Sequence, residues 1–292
     1  MSEFKKYHPT VNLAYFLFAI LFTCAHLNPV SLAIAFAAAF SLCGVVKGKN
    51  ALLKNAATMP FYFILMALIN PAFNHQGVTI LAYLPSGNPL TYESVCFGLI
   101  AAGMVLSVML FFSSFNEIMT SDKLVYIFGK LIPSLSLVFS MILRTVPKFT
   151  HQAKAVSRAQ ECVGRSTSEG SIVKRIKSGI SILSVLITWS MENAIETADS
   201  MKSRGFGTSK RTAFSTYSFT KRDKKALFYI LFLSAYIIFG SILGVFEFSC
   251  FPYIKMAELS AFSLSFYLAE LMLLLMPIII EITEQRKWKY TD

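Results

Sequence analysis

The sequence is poor in charge: only 15% of its 292 residues are Asp, Glu, Lys or Arg, where a soluble domain carries about 25%. A chain that is 55% hydrophobic and 14% aromatic cannot hide that much apolar surface in one core, so its natural solvent is a bilayer. Cysteine is equally uninformative by number and place. Cys24, Cys43, Cys96, Cys162 and Cys250 are odd in number, widely spaced and without a CxxC pair. That excludes a disulfide framework and a zinc site, and they read as small buried hydrophobes. No G-x-x-x-x-G-K-[ST] stretch is present to cradle nucleotide phosphates. H-E-x-x-H and a Ser/His/Asp set in motif context are also missing. The chain therefore reads as non-catalytic and without a cofactor; any ATP hydrolysis would have to occur on another chain. No internal repeat or low-complexity tract is visible.

What is present is a series of apolar runs. A spanning helix needs roughly 20 apolar residues, and the candidates are 11–26, 30–46, 58–73, 95–115, 226–246 and 259–280. Lys5 and Lys6 before the first run resemble a leader, yet that run continues past Asn28-Pro29 straight into the second. A hairpin of two spans fits better than a cleaved leader, with Asn28-Pro29 as its turn.

The basic residues set an orientation. Lys5/Lys6, Lys47/Lys49/Lys54, the stretch 116–225 and Arg286/Lys287/Lys289 all fall on one side of the crossings. The opposite side holds Asn28-Pro29, residues 74–94 without Lys or Arg, and residues 247–258 with only Lys255. This alternation obeys the positive-inside rule and predicts both termini in the cytoplasm. The net charge of +11 is thus spent on topology, and nucleic acid is not an expected partner.

The middle of the chain differs. Of the 27 Lys and Arg residues, 16 lie between Arg144 and Lys225. Residues 131–146 are apolar between Pro133 and Pro147, and 180–189 are apolar again. Each is shorter than a crossing and reads as a buried or interfacial helix. Leu183, Ile187, Met191, Ala194, Ala198 and Met201 recur at steps of four or three, with Glu192, Glu196, Asp199 and Lys202 on the other side. The spacing predicts one amphipathic helix.

That helix runs into Ser203-Arg204-Gly205-Phe206-Gly207, where glycine stops the turn. Arg204 has two readings from its residues alone. One is a cation at a helix C-terminus, worth about 0.3–1 kcal/mol. The other is a guanidinium fork offered to a partner's carboxylates.

A resemblance bears on that choice. Ala198-Asp199-Ser200-Met201-Lys202-Ser203-Arg204-Gly205-Phe206-Gly207 resembles the A-D-A-M-x-x-R-G-[YF]-G signature of the transmembrane T component of energy-coupling factor (ECF) transporters, the EcfT/CbiQ family. Lys210-Arg211-Thr212 agrees, and 70–77, 90–93 and 131–147 match in order. The resemblance implies a bacterial or archaeal cell membrane and two cytoplasmic helices ending in X-Arg-X motifs. Each motif docks on one of two ECF-type ATPase subunits, and a substrate-binding S component packs on the same module. By this resemblance Ser203-Arg204-Gly205 is the second motif. The first departs from its A-Q-x-x-R-G pattern: Cys162-Val163-Gly164 puts valine where arginine is expected. Arg158 and Arg165 lie about 140° and 160° around an ideal helix from Val163. Arg165 substitutes only if the helix ends at Gly164.

Glu270 is the one ionisable residue deep in a proposed span, and no basic partner is evident for it. His26, His75 and Asn70 sit near span ends and are assigned no chemistry. The expected fold is all-α, a polytopic membrane bundle with a cytoplasmic coupling module. Residues 1–115 form about four N-terminal spans, 116–225 the coupling-helix module, and 226–292 the C-terminal spans and tail. The expected function is the coupling subunit of an ATP-driven uptake transporter in the bilayer. A stand-alone secondary transporter or channel is the alternative, disfavoured by few intramembrane charges and no broken-helix pair. An intramembrane enzyme would need facing carboxylates or metal ligands in the spans, and none are seen.

Overall fold

Pro9 and Pro29 open the first two long helices, each placed where its missing N–H has no intrahelical partner to lose. In the computed structural model, which describes residues 3–83, 88–164, 171–208, 217–257 and 260–289, nine α-helices account for most of the described chain. After a short 3-10 turn at Glu3–Lys6 come α1 (Pro9–Ala25), α2 (Pro29–Lys47), α3 (Lys49–Phe73) and α4 (Tyr92–Ile118). Then follow α5 (Ser121–Leu131), α6 (Pro133–Cys162), α7 (Ile172–Ser203), α8 (Lys221–Ile242) and α9 (Ala261–Lys289). Two short antiparallel strand pairs lie in the connections α3–α4 and α8–α9. β1 (Ile80–Tyr83) pairs with β2 (Pro89–Thr91), and β3 (Phe248–Ser249) with β4 (Lys255–Met256).

Among the described residues, five segments are long and apolar enough to cross a bilayer: Pro29–Lys47, Asn55–Phe73, Tyr92–Ile118, Lys221–Ile242 and Ala261–Glu284. α1 is apolar but has only 17 residues. All six expected apolar runs are thus helical, while several boundaries move. Hydropathy started the 226–246 run five residues late. Thr220 and Asp223 form a reciprocal capping box, so the first turn of α8 is built from charged residues that a hydropathy reading discards. α8 then ends at Ile242, and the chain turns through Gly244 at φ +76°. The Asn28 turn holds as expected: its side-chain oxygen accepts from the Val30 N–H at 3.0 Å.

The chain divides into two compact units, Met1–Leu124 with Tyr217–Asp292, and Val125–Thr216. In the first, Phe4, Val11, Tyr15, Phe16 and Ala19 pack with residues of α2, α4, α8 and α9 in one continuous core. The Tyr15 hydroxyl donates to the Leu274 carbonyl at 2.8 Å, giving that buried phenol its required partner. Gly240 lets the Phe266 ring of α9 press on α8, where it stacks on Tyr236 at 4.5 Å.

The second unit holds α6 and α7. Here the sequence expectation of a short helix between Pro133 and Pro147 is corrected. α6 passes through Pro147 and runs 30 residues. A proline removes one rung of the ladder, and the rungs on both sides carry the helix past it. Phe149 of α6 meets Trp189 of α7 edge to face at 5.3 Å. Along α7 only Ser178 is fully buried. The stripe singled out in sequence stays open, with Leu183, Ile187 and Met191 all exposed. Ile182, Leu186 and Trp189 form the more protected side.

Candidate functional site

α6 and α7 end in the same kind of turn. Ser203 is the last regular residue of α7, and Arg204 follows as its C-cap with φ −85° and ψ 8°. Gly205, at φ +76°, donates its N–H to the Lys202 carbonyl at 2.9 Å. The Phe206 N–H reaches back to the Met201 carbonyl at 3.0 Å. These two bonds are a Schellman termination, which requires a left-handed residue that glycine adopts without a Cβ penalty. The Ser203 hydroxyl donates to the Asp199 carbonyl at 2.8 Å. Thr208 closes the turn with both its N–H and its hydroxyl on the Gly205 carbonyl, at 3.2 and 2.7 Å. The N–H groups of Arg204, Gly205 and Phe206 are thus all bonded within the turn, while the Arg204 side chain is exposed and forms no ion pair among the described residues.

α6 repeats the pattern. Cys162 ends the helix, Val163 is the C-cap at φ −96° and ψ 14°, and Gly164 follows at φ +73°. The Gly164 N–H donates to the Glu161 carbonyl at 3.0 Å, the counterpart of the Gly205 bond. Val163 thus occupies the place that Arg204 has on α7, and the residue is 73% exposed. The tips differ in charge as well. The last turn of α7 carries Lys202, which suits the negative end of the helix dipole. The last turn of α6 carries Glu161 and no basic residue. Arg165, and with it Lys210, Arg211 and Thr212, lie outside the described residues.

The Phe149–Trp189 contact fixes the reach of both tips. Val163 lies 14 positions beyond Phe149, and Arg204 lies 15 positions beyond Trp189. At 1.5 Å per residue the two caps stand about 21 Å and about 22 Å along their helices from that ring pair. Two arms of equal length with different ends is the geometry the unit offers.

A second polar site lies in the other unit, and here sequence reasoning missed a residue. Glu270, expected to lack a basic partner, has one. His26, the C-cap of α1, brings Nδ1 to 3.2 Å from its Oε1. The Ser31 hydroxyl donates to Oε2 at 2.6 Å. The imidazole lies flat between Phe22 and Phe246, with centroids at 5.6 and 3.9 Å. Asn28 donates to the Tyr267 hydroxyl at 2.9 Å beside them. His26 and Glu270 are both buried. Hydropathy places His26 at a span end; only the turn into α2 swings its ring toward α9. Among the described residues no cluster of three or more His, Cys, Asp or Glu could hold a metal ion. His75 meets Asn88 at 3.1 Å, and Asn70 donates to the Ser94 carbonyl at 2.7 Å.

Apolar helices of spanning length around a sealed core define a multi-pass helical membrane protein. The chain belongs to the CbiQ family, described as cobalt transport proteins, whose model matches residues 3–214. Among its relatives is the energy-coupling factor transporter transmembrane protein EcfT of Lactobacillus helveticus (strain DPC 4571), 32% identical over 108 residues, 37% of this chain and 39% of that one. The protein of the same name from Bacillus selenitireducens (strain ATCC 700615 / DSM 15326 / MLS10) is 32% identical over 111 residues, 38% of this chain and 41% of the relative. The chain thus spans about two fifths of the length of these curated relatives. A longer match, 22% identical over 250 residues, covers 82% of this chain but 31% of a putative ABC transporter ATP-binding protein of Bifidobacterium longum (strain NCC 2705).

Proposed function

We propose that this chain is the membrane-embedded coupling subunit of an ATP-driven uptake transporter of the energy-coupling factor type. In this reading the spans anchor the protein in the cell membrane with both termini in the cytoplasm. The module 116–225 relays movement from two ATPase subunits to a substrate-binding S component. The observation that carries the reading is the pair of matching helix ends, each with an exposed C-cap side chain followed by a left-handed glycine. A rigid arm with a free guanidinium suits docking in a partner's acidic groove, since a planar fork pairs two carboxylate oxygens at once. The names of the EcfT relatives support it. So does the ATP-binding name of the Bifidobacterium protein, less than a third of which aligns with this chain.

ATP hydrolysis is assigned to the partner subunits, and the role of this chain is mechanical. Ser203-Arg204-Gly205 is the intact docking motif. Cys162-Val163-Gly164 is the first motif in degenerate, apolar form, which makes the two ATPase contacts unequal. The open stripe Leu183, Ile187 and Met191 on α7 is the surface for an apolar partner, the S component in this reading.

Arg204→Ala tests the proposal. Truncating one member of a desolvated charge pair costs about 2–5 kcal/mol, so ATPase subunits should co-purify with the variant at least tenfold less well. Membrane insertion should stay normal, and Arg204→Lys should recover only part of the loss. Full ATPase retention by Arg204→Ala would remove the docking role.

A further inference from the structure

We propose that the paired ends of α8 and α9 form a binding site for an anionic phospholipid. A cavity of about 350 Å³ opens there, lined by Tyr7, Arg222, Lys225, Tyr229 and, on the apolar side, Met276 and Ile279. Arg222, Lys225 and Tyr229 follow one another at steps of three and four along α8, so they share one helical face. The Arg222 guanidinium sits over the Tyr7 ring at 4.3 Å, which fixes its direction. No carboxylate is among the described lining residues. The nearest acid on α8, Asp223, points elsewhere: its carboxylate accepts from the Thr220 N–H and hydroxyl and from the His8 N–H at 3.0, 2.6 and 3.0 Å. Glu281 likewise accepts from the Glu3 N–H at 2.7 Å. Arg222 and Lys225 are thus the charged residues of the described lining, while Glu284, Asp223 and Glu3 act on Tyr7 from outside it.

The chemistry of the lining changes along the span. Arg222 and Lys225 stand in the first turns of α8, and Tyr229 lies one turn deeper. Across from them Met276 and Ile279 supply an aliphatic wall on α9. That sequence of cation, hydroxyl and aliphatic wall matches a phosphate with the start of its acyl chain. A free anion would leave the wall without purpose. Basic pockets between spanning helices hold acidic headgroups in this manner. The inference rests on α8 and α9 crossing the bilayer and is independent of the coupling role, so either can fail alone.

Native mass spectrometry of the full chain in detergent provides the test, titrated in turn with phosphatidylglycerol, phosphatidylcholine and inorganic phosphate. The expected result is one retained phosphatidylglycerol, with phosphatidylcholine and inorganic phosphate binding far more weakly. A surface cation is worth about 1 kcal/mol toward an acidic lipid. Arg222→Gln or Lys225→Gln alone should thus weaken binding about fivefold, and both together roughly thirtyfold. Lys224→Gln, an exposed cation outside the cavity, should change it less than twofold, and Ile279→Gln should weaken it. Unfolding temperatures of the same variants identify any that fail to fold, and Lys225→Gln at an exposed position is the one expected to stay native. Equal loss from Lys224→Gln would mean diffuse attraction and overturn the site. Equal binding of phosphatidylcholine, or inorganic phosphate matching phosphatidylglycerol, would overturn it too.

Discussion

Val163 and Arg204 hold the same place in two helix endings, with φ/ψ of −96°/14° and −85°/8° and a left-handed glycine immediately after each. One presents an isopropyl group and the other a guanidinium. Backbone form is shared while chemistry is not, so the difference lies wholly in the side chain.

A substitution at that place is therefore a clean probe. Val163→Arg adds a cation to a turn that already accepts one on α7, without asking the backbone to change. It should raise the affinity of the ATPase subunits by about tenfold or more, the scale of one charge-assisted contact of about 1.5–3 kcal/mol. Titration of purified ATPase against the chain in nanodiscs reads this directly. An unchanged affinity would mean that the missing contact is supplied elsewhere, with Arg165 the nearest candidate.

Burial makes the His26–Glu270 contact costly to break from one side. Glu270→Leu leaves the buried His26 ring nitrogen without its partner, and a buried polar group left unsatisfied costs about 1–3 kcal/mol. The double variant His26→Leu/Glu270→Leu should lose clearly less than the two single variants added together. A double-mutant cycle from detergent unfolding measures the coupling. Additive losses would mean that the pair contributes no mutual stabilisation.

Gly240 is required by its neighbour. A Cβ there would lie 2.8 Å from Cγ and Cε1 of Phe266, so Gly240→Ala should cost about 1–3 kcal/mol through overpacking. Phe266→Leu added to it should return part of that loss. Thermal unfolding of the single and double variants checks the expectation, and a stable Gly240→Ala would contradict this packing.

Lys123 gives a pH dependence. Its amine is buried and donates to the Lys5 carbonyl. Asn12, in the orientation that satisfies both its polar groups, accepts from it at 2.7 Å. Loss of hydration, then the charge of Lys5, pulls its pKa down from 10.5 to about 8. Between these values the unfolded chain holds a proton that the folded chain has shed, so stability rises with pH across that window. The penalty is absent above 10.5 and complete below about 8. Relative to Lys123→Met, the unfolding temperature of the unsubstituted protein should climb from pH 8 to pH 10. Parallel curves for the two proteins would exclude a titrating Lys123.

Much of this was legible in the chain itself. Apolar runs longer than a soluble core can absorb mark α2, α4, α8 and α9 as bilayer-crossing helices, because hydropathy is a local sum over adjacent residues. The glycine pattern behind Arg204 is legible for the same reason: a left-handed turn needs glycine at a fixed offset from the helix end. The continuation of α6 through Pro147 was not legible, since a single proline leaves the decision to the rungs around it.

Composition and spacing decided that the chain is a helical membrane protein, and where one helix presents an arginine beyond its last turn. Tertiary structure alone decided that His26 turns inward to meet Glu270, and that Arg222 and Lys225 share a cavity with α9. These are relations between side chains brought together by packing, over separations as long as the 244 residues between His26 and Glu270, and local sequence carries no record of them.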